Sequence, residues 1–545
     1  MLKKIAFIKT DLILIAFLLL MGWKFTYGMG QYVDLPLYDE ASYMSTGVHL
    51  SENGIGGISA GPFYQIWYYI LHLFTPDRGA LFFLNLQLLT AALPVFLFIA
   101  LRVYRVPIFS AAIVSFIFLV SRLNLNQVIQ VNHFALCSLL LVLILAAIPK
   151  KLTDSLAIST VGLLLVSYIR AEFFVAFLIL FFVYIGFLIT KRKTFNRKDL
   201  IALGIVLFLI LLTIGFFKGV PALFNNKEER EFCAFGSHFS QNWVQWNKSS
   251  LNGWTDWVQI TKKEFGNATT IGEALRNNPG MFIKHVGANI VNFITNFFKF
   301  FFFHFNIFVP FNMRLSVEAY LLVGLLLGWV TYLLVKIKPN IKENIIDNAR
   351  LFIPSLACMI TILITILVIY PRNHCLLNFF VVVLLCGTVM LKSSAMIPIN
   401  DIKKALLLGI ALLGMTPNCF SSYATPVSAN AQEIFHITEI MRTMPIKQDV
   451  ILLDPIGGIT FWVNDHFKSV PPMQKEAGEG FLSFMTQKQV NMILVTSELF
   501  EDSRFKEDKE WFYFFTNYSK FGFFKVNIPQ TKKFFLIRSD VLGGK

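Results

Sequence analysis

Apolar runs of membrane-spanning length dominate this sequence, and they constrain its fold more than any other feature. Of its 545 residues, 55% are hydrophobic and 15% are charged, which leaves too little polar surface to cover a water-soluble fold of this size. With about 20 apolar residues taken as one span, the sequence predicts a polytopic α-helical membrane protein with about eleven transmembrane helices. Their predicted positions are 5–23, 79–101, 106–121, 131–148, 153–169, 172–190, 199–218, 317–335, 350–370, 373–391 and 402–418.

Basic residues indicate how these helices are oriented. The net charge is +15, and the lysines and arginines collect in short loops such as 191–198 and 336–342, as the positive-inside rule expects. The charge therefore indicates a membrane topology and no nucleic-acid partner. We predict a cytoplasmic N-terminus on a retained first helix, with outer loops at 24–78 and 219–316. The aromatic segment 292–311 is predicted as an interfacial or re-entrant outer helix, because another span would export the later lysines.

The chain changes in character after residue 418. Short β-branched or aromatic runs, "DVILLDP", "NMILVTS", "FFKVNI" and "KFFLIR", alternate there with polar segments at 474–488 and 502–516 that we predict to be helical. The sequence therefore predicts a membrane domain at 1–418 and a small outer-side α/β domain at 419–545. Phe-, Ile- and Lys-rich usage without organelle signals points to a bacterial inner membrane, so the outer side would be the periplasm.

Two adjacent carboxylates follow the first span, in "YDEASYMSTG" at 38–47. Asp39 and Glu40 are expected near the start of an interfacial helix, where acidic side chains are favourable. One interpretation is that Asp39 caps this helix while Glu40 faces water. The other is that a carboxylate deprotonates or orients an acceptor hydroxyl, or holds a divalent cation, beside a lipid-borne substrate. A short aromatic helix at the outer interface is predicted within 52–74.

Several other outer-side residues could contact a ligand. Arg170 in "SYIRAEFF" and Arg372 in "YPRNHCLLN" are either lipid-facing anchors or phosphate ligands, and the same two interpretations apply to "KH" at 284–285. The loop tryptophans either stack on sugar faces or anchor the loop at the bilayer surface. These tryptophans are Trp243, Trp246, Trp254 and Trp257. The six cysteines show no Cys/His metal spacing, so neither structural zinc nor a disulfide is predicted.

Taken in order, these motifs resemble those of the GT-C superfamily. The nearest type is the protein-mannosyltransferase and aminoarabinose-transferase group of polyprenyl-phosphate-dependent glycosyltransferases. The order is a first span, "YDEASYMSTG", "GPFYQIWYYILHLF", "SYIRAEFF", "NNPGMFIKH", "YPRNHCLLN" and a C-terminal outer domain. The resemblance covers most of residues 1–400, and the joint order of these short motifs carries it.

The resemblance implies an integral membrane glycosyltransferase with a GT-C-like fold. Such an enzyme takes a sugar from a polyprenyl-phosphate carrier and transfers it to a lipid, glycan or protein acceptor on the outer side. The catalytic carboxylate would be Asp39, with Glu40 as its neighbour. The expected substrate and phosphate contacts are Arg170, Arg372, Lys284, His285 and Tyr43. Many members carry an acidic residue where Asn132 and His133 stand here, so a second carboxylate and a divalent cation at Asp39 stay open.

Two other functions stay open on the sequence alone. A transporter or flippase of a lipid-linked glycan would share the spans and outer cations, but it should line its bundle with ionisable residues. Most spans here contain none, and Lys9 and Asp11 are expected to snorkel to the cytoplasmic edge. A polymerase or ligase of the O-antigen type is also polytopic with a large outer loop. Such proteins usually lack the first-loop acidic pair and a C-terminal outer α/β domain.

Overall fold

Helices make up most of the structure, and a small mixed sheet lies near the C-terminus. The computed structural model describes residues 9–31, 33–37, 39–56, 61–121, 123–125, 130–190, 197–221, 230–303, 340–392, 401–416, 433–476, 478–529 and 531–542. Helices before residue 304 are α1 (Lys9–Thr26), α2 (Asp39–Val48), α3 (Leu50–Asn53), α4 (Pro62–His72), α5 (Arg78–Val103), α6 (Ile108–Leu119), α7 (Val131–Ala146), α8 (Leu152–Ser167), α9 (Phe173–Thr190), α10 (Arg197–Phe216), α11 (Arg230–Asn247), α12 (Trp257–Phe265), α13 (Ile271–Asn277) and α14 (Pro279–Phe303).

The later elements include the sheet. The helices are α15 (Ile341–Asp347), α16 (Ala349–Val368), α17 (Asn373–Met390), α18 (Ile402–Met415), α19 (Glu433–Thr443), α20 (Ile459–Val463), α21 (Phe481–Gln487), α22 (Ser497–Glu501), α23 (Ser503–Lys506) and α24 (Lys509–Asn517). The strands are β1 (Val450–Leu453), β2 (Phe467–Val470), β3 (Met492–Val495), β4 (Phe523–Asn527) and β5 (Phe534–Arg538). Short 3-10 helices cover Met29–Gln31, Pro472–Gln474 and Tyr518–Phe521.

The membrane character predicted from the sequence is confirmed in part. Among the described residues, four helices are long and apolar enough to cross a membrane: Arg78–Val103, Phe173–Thr190, Asp199–Phe216 and Ala349–Val368. Four more apolar helices are shorter: Ile108–Leu119, Val131–Ala146, Leu152–Ser167 and Cys375–Met390. The predicted number of eleven spans is not confirmed, and the predicted span at 317–335 lies outside the described residues.

Apolar helix surfaces show how this bundle meets its surroundings. Helix α10 leaves large side chains such as Leu207, Phe208 and Leu211 exposed, a surface that suits hydrocarbon better than water. Inside the bundle, α1 packs against α5 and α18. A side chain on Gly22 would meet Ala91 of α5 at 2.7 Å, so glycine allows the two helices to approach closely.

The expectation that Asp11 snorkels to the membrane edge is wrong. The Asp11 side chain is 3% exposed, and its Oδ1 accepts a hydrogen bond from Nε of Arg102 at 2.6 Å. The same guanidinium donates to the carbonyl oxygen of Val106. A buried carboxylate requires such a partner, and the pair ties α1 to the end of α5. The sequence does not show this pairing, because the partners lie 91 positions apart.

The C-terminal sheet has the order β2-β1-β3-β5-β4. Strands β1, β2 and β3 are parallel, whereas β5 runs antiparallel to both β3 and β4. The four predicted strands are confirmed, and β2 is an additional strand. The helix predicted at 474–488 forms only over Phe481–Gln487, and the one predicted at 502–516 forms as α23 and α24. The boundary predicted at 418–419 stays a prediction, since 417–432 lie outside the described residues.

Candidate functional site

The acidic pair lies on the first turn of α2, where carboxylates stabilise the positive end of a helix. The two side chains have opposite environments. Glu40 is 0% exposed, whereas Asp39 faces solvent. The interpretation in which Glu40 faces water is therefore wrong. The geometry leaves Asp39 as the carboxylate that a ligand can reach.

Glu40 is held by three hydrogen-bond donors. The hydroxyl of Tyr64 donates to its Oε1 at 2.6 Å, the hydroxyl of Tyr68 donates to the same oxygen, and the backbone N–H of Gln130 donates to Oε2 at 2.9 Å. Both tyrosines are fully buried on α4, one turn apart on the same face. The carboxylate therefore joins α2, α4 and the start of α7 in one buried contact.

A further amide supports the tyrosine hydroxyls. Nδ2 of Asn85 on α5 donates to the hydroxyl oxygens of both Tyr64 and Tyr68 at 2.9 Å. Its Oδ1 accepts from Nε1 of Trp67 at 2.7 Å. Because each phenol oxygen already accepts from Asn85, each hydroxyl proton is left to point at Glu40. Sequence reasoning missed this network, since its members are spread from position 40 to position 130.

Burial raises the pKa of Glu40 to about 7, because an apolar environment disfavours the charged carboxylate. The hydrogen bonds from Tyr64, Tyr68 and Gln130 act in the opposite direction, and the nearby Asp39 charge raises the pKa further. These opposing effects place the titration of Glu40 in the neutral range. They also make its ionisation sensitive to each donor.

The motif at the start of α4 lies against the Arg170 turn. Gly61 has φ +65°, and a Cβ there would lie 2.8 Å from the carbonyl oxygen of Ile169. Both the backbone angle and the space therefore require glycine. The ring of Tyr43 packs edge-on against Tyr64 with 5.5 Å between centroids, and Tyr43 also interacts electrostatically with Arg170. Tyr43 and Arg170, two of the expected substrate contacts, thus interact with each other.

Arg170 has a fixed acidic partner. Its Nε donates to Oε1 of Glu172 at 2.8 Å, and both side chains are largely buried. Burial is the largest single influence and acts to lower the pKa of Arg170, but the Glu172 carboxylate, Tyr43 and Cys375 together raise it. The guanidinium is therefore permanently charged and held at one edge, while its remaining N–H groups could serve a ligand anion.

Arg372 lies in the turn between α16 and α17, over an aromatic ring. Its guanidinium carbon is 4.8 Å from the ring centroid of Trp254, a cation–π geometry. Burial lowers the pKa of Arg372, while Cys375 and then Asp39 act to raise it. Cys375 also interacts electrostatically with Arg170. Asp39, Arg170 and Arg372 therefore lie at the same end of the bundle.

The four loop tryptophans have different environments. Trp254 is half exposed and contacts Arg372, and with the Gln241 amide oxygen facing it the indole N–H is hydrogen-bonded at 2.9 Å. Trp243 is buried and donates to Glu264. Nζ of Lys284 lies over the ring of Trp246, 4.4 Å from the ring centroid. Trp257 packs against Phe232. Trp254 is thus the tryptophan that lies beside the predicted phosphate ligands.

Lys284 and His285 point in different directions from α14. Lys284 is exposed and could reach an anion. His285 is fully buried: Nδ1 accepts from Asn242 at 3.0 Å, and Nε2 faces the carbonyl oxygen of Ile369 at 3.1 Å. Burial lowers the pKa of His285 to about 4, so the ring is neutral. This geometry assigns His285 to packing between α11, α14 and the end of α16, in contrast to the expected phosphate contact.

The start of α7 holds amide and imidazole groups at Asn132 and His133, where the resemblance noted in the sequence leads one to expect an acidic residue. Oδ1 of Asn132 accepts from Nδ2 of Asn378 at 3.4 Å, and Nε2 of His133 lies 3.1 Å from the carbonyl oxygen of Asn124. All these side chains are buried. In the described part of the chain, no cluster of three or more His, Cys, Asp or Glu side chains is arranged to hold a metal ion.

No protein-family model, no curated protein and no solved structure matches this chain. The resemblance to GT-C glycosyltransferases therefore rests on the order of short motifs in the sequence. The geometry at α2, α4 and the two arginine turns is a separate basis for assigning a function.

Proposed function

We propose that this protein is a membrane glycosyltransferase. It transfers a sugar from a polyprenyl-phosphate carrier to a lipid, glycan or protein acceptor on the outer side of the membrane. The observation that carries the proposal is the solvent-facing Asp39 carboxylate, which interacts electrostatically with Arg372 and lies on a helix anchored by Glu40. The membrane is a bacterial inner membrane, with a cytoplasmic N-terminus and a periplasmic C-terminal domain.

The chemistry assigns Asp39 the role of general base. An acceptor hydroxyl oxygen attacks the anomeric carbon of the sugar, and Asp39 takes the hydroxyl proton. The bond from that carbon to the phosphate oxygen breaks, and the phosphate leaves with the electron pair. A solvent-facing carboxylate can accept a proton from an entering acceptor, whereas Glu40 is enclosed by its own donors.

The two arginines supply positive charge for the leaving phosphate. Glu172 holds one edge of Arg170, and Trp254 supports the plane of Arg372. Guanidinium groups fixed before the reaction stabilise the charge that develops on the phosphate without having to reorganise. The exposed apolar helix surfaces would accommodate the prenyl tail within the bilayer.

The experiment is transfer of radiolabelled sugar from polyprenyl-phosphate donors, comparing wild type with Asp39→Asn at equal expression. Loss of a general base should lower the rate by about a hundredfold or more. The matched control is Glu52→Gln, because Glu52 is an exposed carboxylate in the same outer loop. A parallel series with a chelator tests whether a divalent cation is needed.

The outcomes separate the candidate functions. Transfer that is lost in Asp39→Asn and kept in Glu52→Gln supports the proposal. Transfer that is equal in all three proteins shows that Asp39 only stabilises the helix start. If no polyprenyl-phosphate sugar is used by the wild type, the proposal fails. A flippase assay with the same lipids, and a polymerase or ligase assay with lipid-linked glycan, are then the next measurements.

A further inference from the structure

The segment that leads into α2 is tied to the C-terminal region, residues 433–542. Both side-chain oxygens of Asp34 accept backbone N–H groups at the start of α19, from Ile434 and from Phe435, each at 2.9 Å. These N–H groups have no partner within their own helix. A carboxylate that satisfies them from another part of the chain makes two charge-assisted hydrogen bonds. Asp34 therefore caps a helix about 400 positions away.

A second contact lies beside the first. Nε1 of Trp462, on α20, donates to the carbonyl oxygen of Pro36 at 3.0 Å. The Trp462 ring is fully buried and packs edge-on against Phe82 of α5. Arg78, at the start of α5, donates to the carbonyl oxygen of Phe461. Helix α20 is therefore hydrogen-bonded to both the segment before α2 and the first turn of α5.

The far end of α2 has its own connection to the C-terminal region. Nε2 of His49, directly after α2, lies 3.3 Å from Oδ1 of Asp465. Nδ1 of the same ring faces the carbonyl oxygen of Ser45 at 2.9 Å, so the imidazole is fixed to the last turn of α2. Asp465 also pairs with Arg78. Both ends of α2 are thus joined to the C-terminal region. The segment before α2 contacts the start of α19 and Trp462 of α20, and His49 after α2 contacts Asp465, which follows α20.

We infer that the C-terminal region positions α2, and that Asp34, in the segment before α2, is the principal residue through which it does so. Glu40 fixes α2 from the bundle side, and the contacts at Asp34, Pro36 and His49 fix it from the C-terminal side. The direction in which the Asp39 side chain points depends on both sets of contacts. Without the second set, α2 would keep its packing against α4 and the hydrogen bonds to Glu40, but neither end of the helix would be fixed, and its exposed carboxylate would sample several directions. The positional part of this inference is independent of the proposed glycosyl transfer, whereas its effect on turnover rests on that function.

The test compares the full-length wild type with Asp34→Ala, Asp34→Asn and Asp540→Asn in lipid nanodiscs. Asp540 is the control, because it is an aspartate of the C-terminal region whose carboxylate pairs with Arg538 at an exposed site and has no contact with α2 in the hydrogen bonds described above. Hydrogen–deuterium exchange is followed by mass spectrometry in peptides that cover residues 39–49. Asp34→Ala removes the two hydrogen bonds that fix the segment before α2 to α19, so residues 39–49 should exchange about tenfold faster or more. Asp34→Asn keeps one acceptor oxygen, so its exchange rate at residues 39–49 should lie between those of Asp34→Ala and the wild type.

Transfer kinetics supply the second readout. If α2 positions the reacting carboxylate, kcat for Asp34→Ala should fall about tenfold while the donor KM stays within about twofold. Asp34→Asn should recover part of the loss, and Asp540→Asn should match the wild type in both readouts.

Three results would overturn the inference. One is unchanged exchange at 39–49 in Asp34→Ala, and another is an equal increase in Asp540→Asn. The third is faster exchange with an unchanged kcat. If the wild type transfers no sugar from any donor, the proposed function fails, while exchange at 39–49 still decides whether the C-terminal region holds α2. If Asp34→Ala does not fold, the partial effect expected for Asp34→Asn is the deciding comparison.

Discussion

The titration of Glu40 makes the stability of this site depend on pH in a predictable direction. Burial raises the pKa of Glu40 from 4.5 to about 7 in the folded protein. At about 1.4 kcal/mol per pKa unit, this difference corresponds to roughly 3 kcal/mol. The folded state therefore binds this proton more tightly than the unfolded chain does. As far as Glu40 is concerned, stability is greatest below pH 4.5 and is lost as the pH rises to about 7.

The perturbation is Glu40→Gln, which removes the titration. The glutamine keeps an oxygen that can accept from the Tyr64 and Tyr68 hydroxyls, although its NH₂ group would face the N–H of Gln130. The variant should therefore be less stable than the wild type at low pH. The difference in the free energy of unfolding between them should narrow by roughly 3 kcal/mol as the pH rises from 4.5 to about 7. The measurement is thermal unfolding of the full-length protein in detergent over a pH series.

A second variant tests the cause of this behaviour. Tyr68→Phe removes a donor that lowers the pKa of Glu40, so its pKa should rise further and the pH-dependent range should extend upward. If wild type, Glu40→Gln and Tyr68→Phe give parallel curves of stability against pH, Glu40 does not titrate in the neutral range. Burial would then not be what controls the ionisation of this carboxyl group.

Two further predictions concern the predicted phosphate ligands. Arg372→Lys keeps the positive charge but loses the planar group over Trp254, so the donor KM measured in the transfer assay should rise about tenfold; an unchanged KM would remove Arg372 from phosphate binding. His285→Ala removes a fully buried ring together with its hydrogen bonds to Asn242 and to the carbonyl oxygen of Ile369, so thermal unfolding should show a loss of about 2 kcal/mol or more in the free energy of unfolding. The donor KM of His285→Ala should stay within about twofold of the wild-type value. A tenfold rise would instead indicate that His285 contacts the donor phosphate.

Hydropathy was sufficient to predict the helical bundle and most of the sheet. Apolar length identifies α5, α9 and α16 directly, and β-branched runs identify β1 and β3, because burial on both faces requires continuous apolar residues. Strand β2, with the sequence FKSV, was missed because its two central residues face solvent and it lacks an apolar run. Its pairing with β1 follows from the parallel register, which no local pattern displays.

The candidate site was predictable only in its outline. The order of the motifs predicts that Asp39, Tyr43 and the two arginines, Arg170 and Arg372, belong to one site. In the structure these residues lie at the same end of the bundle. The burial of Glu40 was not predictable, because it depends on side chains of α4 and α5 and on a backbone N–H at Gln130. An isolated carboxylate in a sequence gives no signal of whether distant donors will enclose it.

The different environments of the two carboxylates follow from their adjacency. Neighbouring residues on an α-helix point about 100° apart, so one carboxylate can enter the bundle while the next faces outward. Glu40 is the inward residue, and its three donors fix the rotation of α2 about its own axis. Asp34 and His49 fix the position of the helix along its length. With rotation and position both set, Asp39 has a defined direction and interacts electrostatically with Arg372, which is what the proposed general base requires.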